Sequence, residues 1–295
     1  MRLPWYTTTF LCALFSAASF GAQTITKLHI IDGAVLIVPV FINESGPYSF
    51  ILDTGSNRTL IGNDLLNTLG ISSNKLVPLN MTNGVIFVRE AVAKKVAAGD
   101  LSLNDLEIEG IDHRQLTRMG TSVQGVLGED FLKHFDVLID SHAKTLTLDN
   151  ASDLADSLSG DHLPLSFFGS RGDHRTVDRL VLDVKVPSIG TLHFLLDSGT
   201  NSATFFPSKT VPYVAGVTFD QAVSTLNETS PCRISFVTLK IGKSTFHNQK
   251  LVFYEGVTRD SSDVDGMLPT NIFERLFISH FGAYAIVNPH VRHAF

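Results

Sequence analysis

A chain of 295 residues, 44% hydrophobic and 18% charged, is long enough for about two domains and apolar enough to bury a core in each. Its formal charge of −6 comes from dispersed acidic residues, so it offers neither a basic patch for nucleic acid nor an acidic tail. Two cysteines exclude a disulfide scaffold, and eleven scattered histidines without HExxH or paired Cys/His spacing give no metal motif, so neither a metal nor a cofactor is expected.

The first segment differs in kind from the rest of the chain. Arg2 gives a positive start, Thr9 to Phe15 is a short apolar core, and small residues at Ser16-Ala17-Ala18 and Gly21-Ala22 fit a signal-peptidase site. The expectation is a signal peptide over residues 1–22 and export to the periplasm or the exterior. An uncleaved N-terminal anchor is the alternative, although the apolar run is short for a membrane span. Cys12 lacks a lipoprotein-type context, and its removal leaves Cys232 alone. In its polar setting Cys232 reads as a structural or incidental thiol rather than a nucleophile.

From there the pattern is one of short strands. Ala34 to Ile42 is apolar and β-branched, residues 43–47 turn, and Tyr48 to Leu52 returns as a strand. Asn63 is placed to cap a short helix through Leu69, with Gly70 as its stop. Strands are expected at Val85 to Val88 and Leu101 to Ile111, a helical turn at Phe131 to Phe135, and a pair at Val137 to Ile139 and Thr145 to Leu148. Asp149 to Asp173, rich in Asp, Ser and Gly, reads as a linker. Leu180 to Val186, Leu192 to Leu196, Ile234 to Ile241 and Lys250 to Tyr254 then repeat the strand grammar. The expected organisation is a first lobe over residues 23–148, a linker over 149–175 and a second lobe over 176–295.

Two segments carry the same message: Phe50-Ile51-Leu52-Asp53-Thr54-Gly55-Ser56 and Phe194-Leu195-Leu196-Asp197-Ser198-Gly199-Thr200. Each is an apolar run that delivers an aspartate onto a hydroxyl-Gly-hydroxyl turn. A lone triplet of this kind is an ordinary turn. Here, however, Gly46 and Gly190 each stand 7 residues ahead of the aspartate, and glycine turns at Ala98-Gly99-Asp100-Leu101 and Ile241-Gly242-Lys243-Ser244 follow at offsets of 46 and 45. Buried turns at Gly125-Val126-Leu127-Gly128 and Gly266-Met267-Leu268-Pro269 follow at 72 and 69. Ordered landmarks at matching spacing mark an internal repeat of 144 residues and a single site built from two carboxylates. Two carboxylates brought together do not both ionise easily, so one keeps a proton while the other accepts one, as water activation requires.

On these residues the chain resembles the aspartic proteases, specifically a retropepsin-like form with two lobes in tandem. The resemblance implies an all-β, two-lobed acid-protease fold, each lobe a closed or partly closed barrel with few short helices. It implies an aspartic endopeptidase that activates water between Asp53 and Asp197. Thr54 and Ser198 would cross-link the two loops, Gly55 and Gly199 would admit the facing loop, and Ser56 and Thr200 would support the outer carboxylate oxygens. Hydrogen bonds to the charged form lower carboxylate pKa values, so an acid-shifted optimum is expected. A peptide or protein substrate would lie extended in the cleft between lobes, under a flap around Leu79 to Arg89 and a counterpart near Gln221 to Phe236, and a monomer would suffice. The sequence departs from the family pattern at Pro269, which stands where a glycine is usual, at Ser198 in place of threonine, and in having no flap tyrosine.

Competing readings come from other classes. Asp-x-Gly-Ser/Thr turns also hold phosphates in duplicated ATP-binding folds, but those need long crossover helices that this chain lacks. Arg171-Gly172-Asp173 reads as linker rather than adhesion tripeptide. A catalytically silent two-lobed peptide-binding protein is the main alternative.

Overall fold

The computed structural model describes residues 23–81, 84–117, 123–168, 179–187, 189–206, 218–223, 229–254 and 264–292. The expected signal peptide, Cys12 and Arg171-Gly172-Asp173 lie outside these residues.

Strands dominate. In the first half, Val35–Ile42, Ser45–Leu52, Gly125–Leu127, Leu60–Gly62, Leu101–Ile111 and Gly84–Ala98 pair in that order. A further pairing of Val40, Phe41 and Ile42 with Ala98, Ala97 and Val96 closes the ring. The second half repeats the plan with Arg179–Val186, Gly190–Asp197, Gly266–Pro269, Ala203–Phe205, Ser244–Tyr254 and Thr229–Ile241, closed between Lys185 and Lys240. Each half is therefore a closed six-stranded barrel, and closure removes the free edges that an open sheet would expose.

The barrels explain the near-continuous apolar runs before each aspartate. Phe50, Ile51 and Leu52, like Phe194, Leu195 and Leu196, are all buried, because these strands are covered on both faces and alternation has no use there. Each lies parallel to the later glycine segment, Leu52 opposite Leu127 and Leu196 opposite Leu268. The segments expected to be buried turns are thus central strands. Glycine here answers crowding by a neighbouring chain rather than the needs of a turn: a Cβ on Gly125 would stand 2.3 Å from the Phe50 ring.

A third sheet joins the halves. Gln23–Lys27, Thr145–Asp149, Asp136–Asp140, Arg275–Ser279, Tyr284–Val287 and His162–Pro164 form six antiparallel strands, with Val137 opposite Ile278 at the seam. Residues 149–168, read as linker, hold the helix Asp153–Ser157 and short strands, one of which adds to this joining sheet. Asp149 organises that stretch by accepting from the amides of Ala151 (2.9 Å) and Leu154 (2.6 Å), a local role that composition does not reveal. Most of the core is one continuous cluster spanning both lobes.

Other local readings shift for definable reasons. The helix after Gly62 runs Asn63–Thr68, but Asn63 is not its cap. Its side-chain oxygen instead accepts from the Arg89 guanidinium at 2.8 and 3.1 Å. Gly70 ends the helix in the left-handed region at φ 65°, as expected. The turn expected at Phe131 to Phe135 begins two residues earlier, as Glu129–Leu132.

Candidate active site

Each dyad strand ends in a tight turn at the lobe interface, and the two turns meet. The close approach depends on glycine: a Cβ on Gly55 would stand 2.5 Å from the Asp197 carboxyl carbon, and one on Gly199 would stand 2.6 Å from that of Asp53. Both lie well inside any tolerated contact, so each lobe's glycine makes room for the other lobe's carboxylate. Asp53 and Asp197 are brought within hydrogen-bonding reach of each other.

Beneath them a reciprocal lock holds the turns together. The Thr54 hydroxyl donates to the Leu196 carbonyl (3.0 Å) and accepts from the Ser198 amide (3.1 Å). The Ser198 hydroxyl donates to the Leu52 carbonyl (2.7 Å) and accepts from the Thr54 amide (3.0 Å). All four bonds are buried and all four cross between lobes. Each hydroxyl uses its donor and one acceptor position, which is why serine serves as well as threonine at 198.

Ser56 and Thr200 support the dyad differently from expectation. The Ser56 amide donates to Asp53 Oδ1 at 3.0 Å, beside the Gly55 amide at 2.9 Å, while the Ser56 hydroxyl turns away to the Arg58 carbonyl. On the other side the Gly199 amide donates to Asp197 Oδ1 at 2.9 Å, and the Thr200 hydroxyl faces the Ser202 carbonyl. The supporting groups are backbone amides, and the hydroxyls shape the turns.

The electrostatics also depart from expectation. Burial pushes the Asp53 carboxyl above its ordinary value, and the Gly55 and Ser56 amides and a hydrogen bond with Asp197 only partly offset that push. Burial pushes Asp197 well above the ordinary range, and the neighbouring Asp53 charge adds to it. Amide bonds do favour the charged form, but desolvation outweighs them. Both members are pushed up by burial, so the pair holds a proton more firmly than free carboxyls do. The two titrate as a pair.

Sequence reasoning missed the groups behind Asp53. Asp130 accepts from both the Thr59 amide (2.9 Å) and hydroxyl (2.6 Å), and the same hydroxyl accepts from the Gly128 amide (3.2 Å). Burial raises the Asp130 pKa to about 6 despite those bonds. Glu129 is fully buried and meets His280 Nε2 at 2.9 Å. Two acids inside the apolar run Val126 to Leu132 were the available signal for Asp130 and Glu129. His280 had none, being one histidine among eleven.

The flap hairpin pairs Leu76–Met81 with the start of Gly84–Ala98 and presents exposed Val85 and Phe87. Thr218–Val223 pairs with Thr229–Ile241 at the equivalent place in the second lobe. Among the described residues no group of His, Cys, Asp and Glu is arranged to hold a metal, and no helix is long and apolar enough to cross a membrane.

Residues 38–131 match a family model described as aspartyl protease, a span that contains the Asp53 strand, the flap and the Gly125–Leu127 strand. A retropepsin-like aspartic protease from Rickettsia conorii aligns in structure at 16% identity and a TM-score of 0.34, over 44% of this chain and 92% of that one. No curated protein matches in a sequence search. The family match lies within the first lobe, and the second half repeats that lobe's barrel plan in tandem.

Proposed function

We propose that the protein is an aspartic endopeptidase in which Asp53 and Asp197 form the catalytic dyad. What carries this reading is the meeting of two buried carboxylates, one from each lobe, over a reciprocal hydroxyl lock. A water between them loses its proton to ionised Asp53 as its oxygen attacks the amide carbonyl. Protonated Asp197 donates to the carbonyl oxygen as negative charge develops there. As the tetrahedral intermediate collapses and its C–N bond breaks, Asp53 passes its proton to the departing nitrogen and Asp197 takes one back from a diol hydroxyl, so the dyad again holds a single proton. No covalent intermediate is needed.

One lobe supplies each aspartate, so a monomer completes the site. The substrate is an extended peptide segment in the interlobe cleft, with Val85 and Phe87 of the flap giving it apolar cover. Because both carboxyls are pushed up, the singly protonated dyad persists to higher pH than ordinary carboxylates would allow. The optimum should therefore lie above the one that unperturbed carboxylates would set. Export remains part of the reading, supported by Arg2 and the apolar run from Thr9 to Phe15, and N-terminal sequencing of the processed protein tests it.

The deciding experiment is digestion of a diverse peptide library across acid to neutral pH, with Asp53→Asn and Asp197→Asn run beside the wild type. Cleavage abolished by either substitution supports the dyad. A folded wild type that binds but never cleaves peptides would make it a silent peptide-binding protein.

A further inference from the structure

The dyad is symmetric at the turns and asymmetric one layer behind them. Glu129 opens the short helix after the Gly125–Leu127 strand, and its amide donates to the Ser56 carbonyl at 2.8 Å. Ser56 in turn donates its own amide to Asp53, so two hydrogen bonds connect the Glu129 backbone to the carboxylate. The Glu129 side chain is fully buried, with Oε1 lacking any hydrogen-bond partner and Oε2 on His280 Nε2. His280 comes from the other half of the chain, in the turn after the joining-sheet strand Arg275–Ser279. Its Nδ1 lies 2.6 Å from the Phe135 carbonyl. A carbonyl can only accept, so Nδ1 carries a hydrogen, and the Nε2 to Oε2 contact holds a further proton between the two side chains.

We propose that Glu129 and His280 are a positioning pair that fixes the Asp53 turn against the joining sheet and sets the proton affinity of Asp53 relative to Asp197. This rests on the dyad reading and adds a control to it. The second lobe has Thr270, an uncharged residue, at the position equivalent to Glu129. A buried carboxylate behind one member of a coupled pair biases which member keeps the proton.

The surrounding charges are few and identifiable. Asp197 and Glu129 act on Asp53. Burial alone would lower the His280 pKa, but the Glu129 charge and hydrogen bond, the Phe135 carbonyl and Asp136 together hold it above its ordinary value. Asp136 anchors the same turn through the Ser279 hydroxyl (3.2 Å) and the Phe281 amide (3.3 Å). His134 feels both Lys133 and His280 at the far end of the helix, and Asp130 is held by Thr59.

The test is a carboxyl 13C NMR titration of the aspartates in the full chain, in wild type and Glu129→Gln, with kcat/KM against pH measured in parallel. Removing the charge should move the Asp53 midpoint to lower pH by about half a unit, roughly a threefold change in proton affinity. The acid limb of kcat/KM should move with it, and peak activity should fall less than about tenfold. An unchanged midpoint in a folded Glu129→Gln protein, with only a lower Tm, makes the pair merely structural and overturns the proposal. If that variant does not fold, wild type still decides: the Asp53 carboxyl shift should carry a second inflection at the midpoint of His280, followed by imidazole 15N, and its absence overturns the proposal. A wild type that titrates in this way but cleaves no peptide would instead sink the protease reading.

Discussion

The two lobes share a plan and differ in how they brace it. Behind Asp53, Thr59, Asp130 and the Gly128 amide form a closed set of hydrogen bonds. By strand register the equivalent positions behind Asp197 are Ala203, Asn271 and Pro269: no hydroxyl, no charge and no N–H. Three linked losses on one side, beside four matched bonds at the interface, separate two demands. Groups that join the lobes must stay paired because each completes the other's turn. Groups that brace a single lobe can be replaced together, because apolar packing in the second barrel, with Phe205 on Phe253 and Phe246 on Phe273, holds the same strands.

The largest effect should come at the feature the lobes share without difference. Asp53→Asn and Asp197→Asn should each lower kcat by about 1,000-fold or more, measured on any peptide the wild type cleaves. A large loss in one and a small loss in the other would break the symmetry of the dyad. Next in size is the lock. Thr54→Val removes one hydroxyl from two buried interlobe bonds and leaves the Ser198 amide and Leu196 carbonyl unpaired, which should cost about 2–4 kcal/mol in denaturant unfolding. Ser198→Thr keeps the hydroxyl and should cost less than about 1 kcal/mol.

The bracing itself can be probed through pH. The folded-state pKa of Asp130 is raised, from 3.8 to about 6, so its contribution to stability is fully present below pH 3.8 and is lost as pH rises through about 6. Asp53, Asp197 and Asp136 are raised too and act with the same sign. Denaturation of the wild type should therefore show stability falling from pH 4 to pH 7. In Asp130→Asn that fall should shrink by about 3 kcal/mol, the Asp130 share. An undiminished fall would mean that Asp130 is ionised throughout. The smallest effect should be Pro269→Gly, which restores the first-lobe residue without its partners and should change stability by no more than about 1 kcal/mol.

The parts of this design visible in the sequence are those repeated in it. Asp53 and Asp197 could be found because the same seven-residue pattern occurs twice, and the barrel strands could be placed because each copy carries its own apolar runs. The joining sheet was visible only in part: the expected pair of Val137 to Ile139 with Thr145 to Leu148 is there, but nothing in the sequence names Arg275–Ser279 as the strand on the other side of Asp136–Asp140. Pairing between distant strands is decided by the folded context, not by local pattern. The same limit hid the pairing of Glu129 with His280, two residues 151 apart with no shared motif. The direction of the dyad's pKa shift is equally hidden, because amide donors can be counted from a turn motif, whereas the extent of burial belongs to the assembled interface.

The joining sheet also sets a schedule. Its strand Asp136–Asp140 pairs with Arg275–Ser279, which is made long after it. Every strand of the first barrel has emerged long before that, so the Asp53 turn waits without a facing carboxylate, its Thr54 hydroxyl without Leu196 or Ser198 to meet. Until then the polypeptide carries half of a site that needs two halves. Completion of the lock is thus tied to the strand order, and the first turn is not finished before the second lobe is made.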